Sequence, residues 1–154
     1  MKSINNYISE KLIINNNNNL RKAHYEYFPE TKKELQDLIE QRIKKEGNEC
    51  DLNDIDVSKI TDMSELFKES NFNGNISEWD VSNVKYMNWI FMRSEFNQDI
   101  SSWNVSNVED MTRMFCYSNF NKDISNWNVT NNCKTYEMFV GTSLYKKEKE
   151  WWWK

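Results

Sequence analysis

The sequence predicts an α/β solenoid of four 24-residue coils, each with a short parallel strand and a short helix, stacked behind an N-terminal capping helix. Two observations predict this class. From Asp51 onward the chain matches itself at a shift of 24 residues, without insertion or deletion, across residues 51–146. Within each copy, apolar residues first alternate with polar ones and then recur at helical spacing. A unit of this kind buries its apolar side only by stacking on its neighbours.

Residues 1–30 differ in composition from the rest and predict a flexible arm. A short apolar stripe begins at Ile4 and ends at Leu12, but the run from Asn15 to Asn19 is low-complexity. We therefore expect little order before the capping helix.

The capping helix is predicted over residues 31–47. Thr31 and Glu34 have the spacing of a capping box, and Gly47 follows two lysines as a stop signal. One apolar stripe runs along this helix: Leu35, Leu38, Ile39, Ile43. We expect the stripe to cover the first coil, whose apolar residues would otherwise face water.

Each coil contributes one residue to each apolar column of the stack. The main columns are Leu52, Ile76, Ile100, Ile124; Ile55, Trp79, Trp103, Trp127; Val57, Val81, Val105, Val129; and Phe67, Phe91, Phe115, Phe139. Trp79 and Val81 alternate around a polar residue, as on a half-buried strand. From Val84 to Phe91 the spacing is that of a short helix. Because repeats of about 20–29 residues are typical of leucine-rich repeats, the expected solenoid is leucine-rich-repeat-like.

Two polar columns predict structural ladders. Their members are Asn73, Asn97, Asn121 and Ser58, Ser82, Ser106, Thr130. Small polar side chains at such positions satisfy backbone groups in buried turns.

Residues 147–154 form a Trp-rich tail after a fourth coil that drifts from the pattern. Trp151, Trp152 and Trp153 are consecutive, so they cannot all face one surface. Both a C-terminal cap and a contact site fit this tail.

The composition argues against an enzyme and against a cofactor. The chain has 3 Gly and 1 His, which leaves no Gly-rich phosphate loop and no histidine pair for zinc. The 3 Cys are odd in number and lack CxxC spacing, which favours reduced thiols. We expect no catalytic residues, no metal and no cofactor.

The charge and hydropathy patterns limit which classes of partner and which cellular locations the sequence predicts. A net charge of −4 argues against nucleic acid, because phosphate binding needs clustered Lys and Arg. No apolar run is long enough for a membrane span, and the first residues lack a signal peptide. These features predict a cytoplasmic protein.

The repeated strings resemble a known family. DISSWNVSNVEDMTRMF and FNQDISSWNVSNV are similar to the BspA-like leucine-rich-repeat surface proteins of bacteria, a repeat also described as a mycoplasma-type lipoprotein repeat family of unknown function. The resemblance covers about residues 50–146. It implies a solenoid at the cell surface or secreted, in contact with a host or surface ligand, and it supplies no catalytic residues.

Acidic residues form the first candidate site. Asp54, Asp56, Glu78 and Asp80 flank the strand positions of coils one and two, where later coils carry Ser or Asn. Neighbouring strands lie about 4.8 Å apart, so these carboxylates would form one patch for Lys, Arg or a divalent cation. The alternative, which we favour, is that Asp56 and Asp80 form turns by bonding to nearby backbone.

Aromatic residues form the second candidate site. Tyr86 and Trp89 stand in columns that are otherwise charged, and they are three residues apart on the expected helix. Met92 and Tyr117 extend the group. Exposed aromatic side chains grouped in this way are typical of interface anchors.

The sequence thus predicts a monomeric, non-catalytic repeat scaffold for protein–protein interaction. Two alternatives remain open, a bacterial cell-surface adhesin or host-interaction protein and a divalent-cation-binding repeat protein.

Overall fold

The computed structural model describes residues 25–146, and one helix, α1 (Lys32–Glu46), is the only helix within them. Those residues contain no continuous strand, only isolated parallel bridges. Three of these bridges link successive repeats at one column: Asp62 to Tyr86, Tyr86 to Asp110, Asp110 to Lys134. The predicted α/β leucine-rich-repeat solenoid, with a strand and a helix in every coil, is therefore wrong. The arm before Tyr25 and the Trp-rich tail lie outside the described residues.

Helix α1 is capped at both ends, by Thr31 at its N-terminus and by Gly47 at its C-terminus. The Thr31 side chain accepts the Glu34 N–H at 3.2 Å, and the Glu34 carboxylate accepts the Thr31 N–H at 3.3 Å, so the predicted capping box is present. At the other end Gly47 has φ +92°, and its N–H bonds to the Ile43 carbonyl. Leu35 and Ile39 are buried in the same core as the first repeat. No helix within residues 25–146 is long and apolar enough to cross a membrane.

The N-terminal residues also contact repeat one (residues 51–74). Tyr27 pairs in parallel with Ile55, and the Asp56 N–H donates to the Tyr27 carbonyl at 2.9 Å. From α1, Arg42 reaches Asp54 at 2.7 Å and Lys32 reaches Asp62 at 3.2 Å. Glu26 and Tyr27, which the sequence assigns to the arm, thus pair with the edge of the first repeat.

Each repeat is built from tight turns tied to the next repeat. Alternate N–H groups donate across to the following repeat, as in Phe67 to the Ile90 carbonyl at 2.9 Å and Phe91 to the Met114 carbonyl at 2.9 Å. The N–H groups between them close turns within the repeat, as in Ile90 to the Met87 carbonyl. No i to i−4 ladder can form when half the donors point to a neighbour. A run of such turns imitates the apolar spacing of a helix, which explains the wrong helix prediction.

Aromatic rings stack along the core at the predicted spacing of one repeat. Phe67, Phe91, Phe115 and Phe139 form a continuous stack with ring centroids 5.6 Å apart at each step. A second phenylalanine stack runs beside it: Phe72, Phe96, Phe120. Trp79 and Trp103 are parallel within 4° at 6.5 Å. Stacked rings bury both faces, and they share the core with aliphatic and methionine columns such as those of Leu52, Val57 and Met63.

The asparagine column is the ladder that the sequence predicts. Asn73 Oδ1 accepts the Asn97 N–H at 2.9 Å, and Asn97 Oδ1 accepts the Asn121 N–H at 2.9 Å. The serine column differs, because the Ser82 hydroxyl bonds to Asp80 inside its own turn at 2.6 Å. There the link between repeats comes from Asn83, whose side chain donates to the Ser58 carbonyl at 2.8 Å.

Candidate partner-binding face

Two columns of the turns have a left-handed backbone and point outward. Their non-glycine members have φ between 53° and 62°: Glu65, Trp89, Arg113, Glu137 and Glu69, Arg93, Tyr117. None of these seven side chains is buried. This conformation is uncommon for residues with a Cβ and costs about 1–2 kcal/mol each. We call these two columns the outer face.

Hydrogen bonds to the next repeat hold this strained backbone in place. The Trp89 N–H donates to the Thr112 carbonyl at 3.0 Å and the Arg93 N–H donates to the Cys116 carbonyl at 2.9 Å. The next column member repeats the pattern, with the Tyr117 N–H on the Val140 carbonyl at 2.7 Å. Outer-face side chains therefore project from a fixed backbone, which lowers the entropy cost of presenting them to a partner.

Ion pairs run along the outer face from one repeat to the next. Arg113 lies 2.6 Å from Glu137, and Arg93 lies 3.3 Å from Glu69, each pair separated by one repeat. Exposed pairs of this kind contribute about 0–1 kcal/mol, so they favour the register more than the stability. Trp89 interrupts the charged column between Glu65 and Arg113.

Of the four predicted aromatic and apolar candidates, Trp89 and Tyr117 belong to the outer face, and Tyr86 and Met92 lie three residues before and three residues after Trp89 in repeat two. Tyr86 is 44% exposed and Tyr117 is 61% exposed, whereas Trp89 and Met92 are half-buried. The Met92 N–H closes a turn onto the Trp89 carbonyl at 3.1 Å. The prediction that Tyr86 and Trp89 share one face of a helix is wrong, because this part of repeat two consists of successive turns. Tyr117 directly follows Cys116, whose carbonyl accepts the Arg93 N–H from repeat two.

Sequence reasoning missed Tyr136, which is 65% exposed in repeat four (residues 123–146). The Arg113 guanidinium lies 5.9 Å from its ring centroid. A hydrogen bond to Glu137, reinforced by that carboxylate's charge, raises the pKa of Tyr136. The same bond and one from Arg113 lower the pKa of Glu137. Its column holds Ser64, Asn88 and Thr112 in the other repeats, so Tyr136 breaks a small polar pattern and not the charged pattern that singled out Tyr86 and Trp89.

Three of the four acidic candidates, Asp54, Asp56 and Asp80, make contacts within the fold. Asp54 pairs with Arg42 of α1. Asp56 is buried and accepts the Ser58 N–H at 3.1 Å, and Asp80 accepts the Ser82 N–H at 3.1 Å, so both are turn formers as favoured from sequence.

Three of the acidic candidates act on Tyr25. Burial raises the pKa of Tyr25, and the charges of Asp56, Asp80 and Glu78 raise it further. The three carboxylates therefore share one side of the stack, whereas Asp54 is engaged by α1. Within residues 25–146, no group of three or more His, Cys, Asp or Glu side chains is arranged to hold a metal ion.

The cysteines have the character of core residues. Cys50 and Cys116 are buried, Cys133 is half-buried, and all three are free thiols. Burial raises the pKa of Cys133 to about 11. A thiol with a raised pKa stays protonated at neutral pH and is a poor nucleophile.

These observations define a class of protein, a stack of turn-built 24-residue repeats whose outer face carries fixed polar and aromatic side chains. A family model described as "Mycoplasma protein of unknown function, DUF285" matches residues 33–152. The chain belongs to this family, which confirms the predicted mycoplasma-type family of unknown function. Comparisons with curated proteins and with solved structures find no match.

Proposed function

We propose that the protein is a non-catalytic repeat scaffold that binds a protein partner through the outer face of repeats two and three together with the neighbouring residues Tyr86 and Met92. The observation that carries this proposal is the exposure of Tyr86 and Tyr117 on a backbone held by hydrogen bonds between repeats. Tyrosine offers a large contact area at low entropic cost, and its hydroxyl can bond to a partner. Trp89 and Met92 lie between the two tyrosines in the sequence and are half-buried, and we assign them to the same surface.

Charged neighbours give this surface a mixed rim. Arg93 and Arg113 flank the aromatic residues, and each is paired with a glutamate one repeat away. Arginine, tyrosine and tryptophan are the residue types enriched in interface hot spots. A standard interface covers about 800 Å² on each partner, so four short repeats favour a small or multivalent contact.

Site-specific photo-crosslinking in cells that produce the protein tests the proposal. A photoreactive amino acid at Met92 should capture a defined partner, and the same group at Asn126, an exposed residue of another column, serves as the matched control. Introducing Tyr86→Ser and Tyr117→Ser should remove the Met92 adduct while the protein still unfolds in one cooperative thermal transition. Equal capture from Met92 and Asn126, or an adduct that survives both substitutions, would exclude the outer face as the contact.

A cell-surface role, as an adhesin or host-interaction protein, is the second proposal. The resemblance of the repeated strings to bacterial surface proteins supports it. A cytoplasmic location is the competing proposal. Protease treatment of intact cells separates them, since only an exposed protein is digested before lysis, with a known cytoplasmic protein as the control.

A further inference from the structure

Six of the seven methionines lie within residues 25–146, and they fall into two groups. Five belong to the core columns and are 0% exposed: Met63, Met87, Met111, Met114, Met138. The sixth, Met92, is half-buried. A thioether in the core is shielded from oxidants in the solvent, whereas one at the surface is not. Exposure therefore distinguishes Met92 from the other methionines of the described part of the chain.

The position of Met92 follows from the turns of repeat two. Phe91, directly before it, is fully buried, and Arg93, directly after it, is exposed. The Met92 N–H donates to the Trp89 carbonyl at 3.1 Å, and the Met92 carbonyl accepts the Glu69 N–H at 2.8 Å. Hydrogen bonds within repeat two and to repeat one thus fix the backbone that holds this thioether at the boundary between core and solvent.

The cysteines compete poorly with Met92 for a peroxide. Cys50 and Cys116 are buried, and burial raises the pKa of each thiol. Cys133 is half-buried, but its pKa of about 11 keeps the thiol protonated at neutral pH. A peroxide reacts with the thiolate form of cysteine, whereas the thioether of methionine has no proton to lose. Among the sulfur atoms of residues 25–146, that of Met92 thus combines exposure with reactivity.

We propose that Met92 is a redox modification site, at which hydrogen peroxide converts the thioether to the sulfoxide and thereby weakens the partner contact. In this step one S–O bond forms and the peroxide O–O bond breaks. The sulfur loses two electrons, and the peroxide is reduced to water. The effect on binding rests on the proposed function, which assigns Met92 to the contact surface, but the modification itself does not.

Oxidation changes the polarity of the contact surface at Met92. The thioether is apolar and flexible, whereas the sulfoxide carries a strong hydrogen-bond acceptor. A partner that covers this position would leave the new oxygen without a donor, which corresponds to about a tenfold loss of affinity. Because Met92 is not part of the buried columns, the repeats remain stacked. Reductases remove the oxygen at the expense of a thiol reductant, so the change is reversible.

Dilute hydrogen peroxide, followed by peptide mapping in a mass spectrometer, tests the site on the purified full-length chain. Met92 should gain one oxygen atom on the order of tenfold faster than the five buried methionines, which react only after local opening. In urea the six should react at similar rates, because unfolding exposes them all.

Two variants of similar volume sharpen this test. Met92→Leu should abolish the fast reaction, whereas the control Met87→Leu, a core substitution in the same repeat, should retain it. Oxidation of a buried methionine as fast as Met92, or of Cys133 before Met92, would overturn the proposal. The map of the unsubstituted chain decides the site even if a variant fails to fold.

Photo-crosslinking from Asn88, which lies between Tyr86 and Trp89 in the sequence, tests the effect on binding. Peroxide should reduce the Asn88 adduct about tenfold, and methionine sulfoxide reductases with a thiol reductant should restore it. With Met92→Leu the adduct should be insensitive to peroxide. An undiminished adduct on a fully oxidised Met92 would refute the control of binding. Failure to form any adduct before peroxide is added would count against the proposed function instead, and the peptide map would still decide the modification site.

Discussion

Tyr117 covers Gly141, the residue one repeat further along the chain, so closely that a Cβ on Gly141 would lie 2.3 Å from the tyrosine Cδ1 atom. Gly141 has φ +78° and stands in the column where Glu69, Arg93 and Tyr117 have the left-handed backbone. Glycine adopts this conformation without a steric cost. The contact of the Tyr117 ring with Gly141 therefore depends on two properties of glycine, the absence of a side chain and the left-handed backbone conformation.

Gly141→Ala should destabilise the protein by about 2 kcal/mol, because it adds backbone strain to a clash with the Tyr117 ring. Urea unfolding measures the change. In the double variant with Tyr117→Ala the clash is absent, so the two costs should add to more than the observed total. Strict additivity would show that the ring and Gly141 are not in contact.

Gly74→Ala should be more damaging, at about 3 kcal/mol or more, because the new Cβ would meet the Cys50 carbonyl oxygen at 2.0 Å. A backbone oxygen cannot move aside as a side chain can. Gly47→Ala is the matched control, since nothing lies within 4 Å of its Cβ position and only its φ of +92° is strained. Equal effects of the two substitutions in urea unfolding would contradict this packing.

Two substitutions at Trp89 distinguish the effect of losing the ring from the effect of the left-handed backbone conformation. Trp89→Gly should be more stable than Trp89→Ala by about 1 kcal/mol, because glycine relieves the positive φ of 60°. Glycine at an ordinary position has the opposite effect. Urea unfolding of both variants decides between a left-handed and a helical backbone at this position, and a more stable alanine variant would indicate the helix.

Trp103→Ala should cost about 3–5 kcal/mol, in contrast to Trp89→Ala, which should have a small effect. Trp103 is 3% exposed, stacks on Trp79 and donates its indole N–H to Ile76. The substitution opens a cavity, and it also removes one of the two hydrogen-bond donors to the Ile76 carbonyl. Comparable losses of unfolding free energy for the two variants would mean that Trp89 also belongs to the core.

Asp62 links α1 to repeat one in a pH-dependent way. Its partial burial raises its pKa, but hydrogen bonds from Ser64 and Lys32 outweigh burial, and the net pKa is lowered. A carboxylate with a lowered folded-state pKa contributes stability above its unfolded pKa of about 4 and loses it as the pH falls through the folded value.

Asp62→Asn should accordingly destabilise the protein at pH 7, with a smaller difference from the unsubstituted chain at pH 3. Urea unfolding at both pH values measures this. Glu40→Gln, at an exposed position of α1, is the control. A deficit that is the same at both pH values would contradict the electrostatic explanation.

The sequence predicts the repeat and its buried columns well, because large rings at a fixed spacing have few ways to be buried. The capping box at Thr31 and Glu34 is also predictable, since it depends on neighbouring residues alone. The turns that replace the expected helices are not predictable in this way. Their apolar spacing matches a helix, and the left-handed residues are Glu, Arg, Trp and Tyr, none of which signals a positive φ.

The aromatic candidates could be identified as breaks in a charged column, which works for Tyr86 and Trp89 but not for Tyr136. The pairing of Asp54 with Arg42 could not be anticipated, because it depends on how α1 lies against repeat one. The turn roles of Asp56 and Asp80 are local and were accessible from sequence.

Alternate N–H groups of each repeat bond to the next repeat and not within a helix. Couplings through hydrogen bonds, measured by NMR, test this pattern most directly. We predict couplings from the amide nitrogens of Phe67, Phe91 and Phe115 to the carbonyl carbons of Ile90, Met114 and Met138. Couplings from these nitrogens to carbonyls four residues earlier in the chain would contradict the claim.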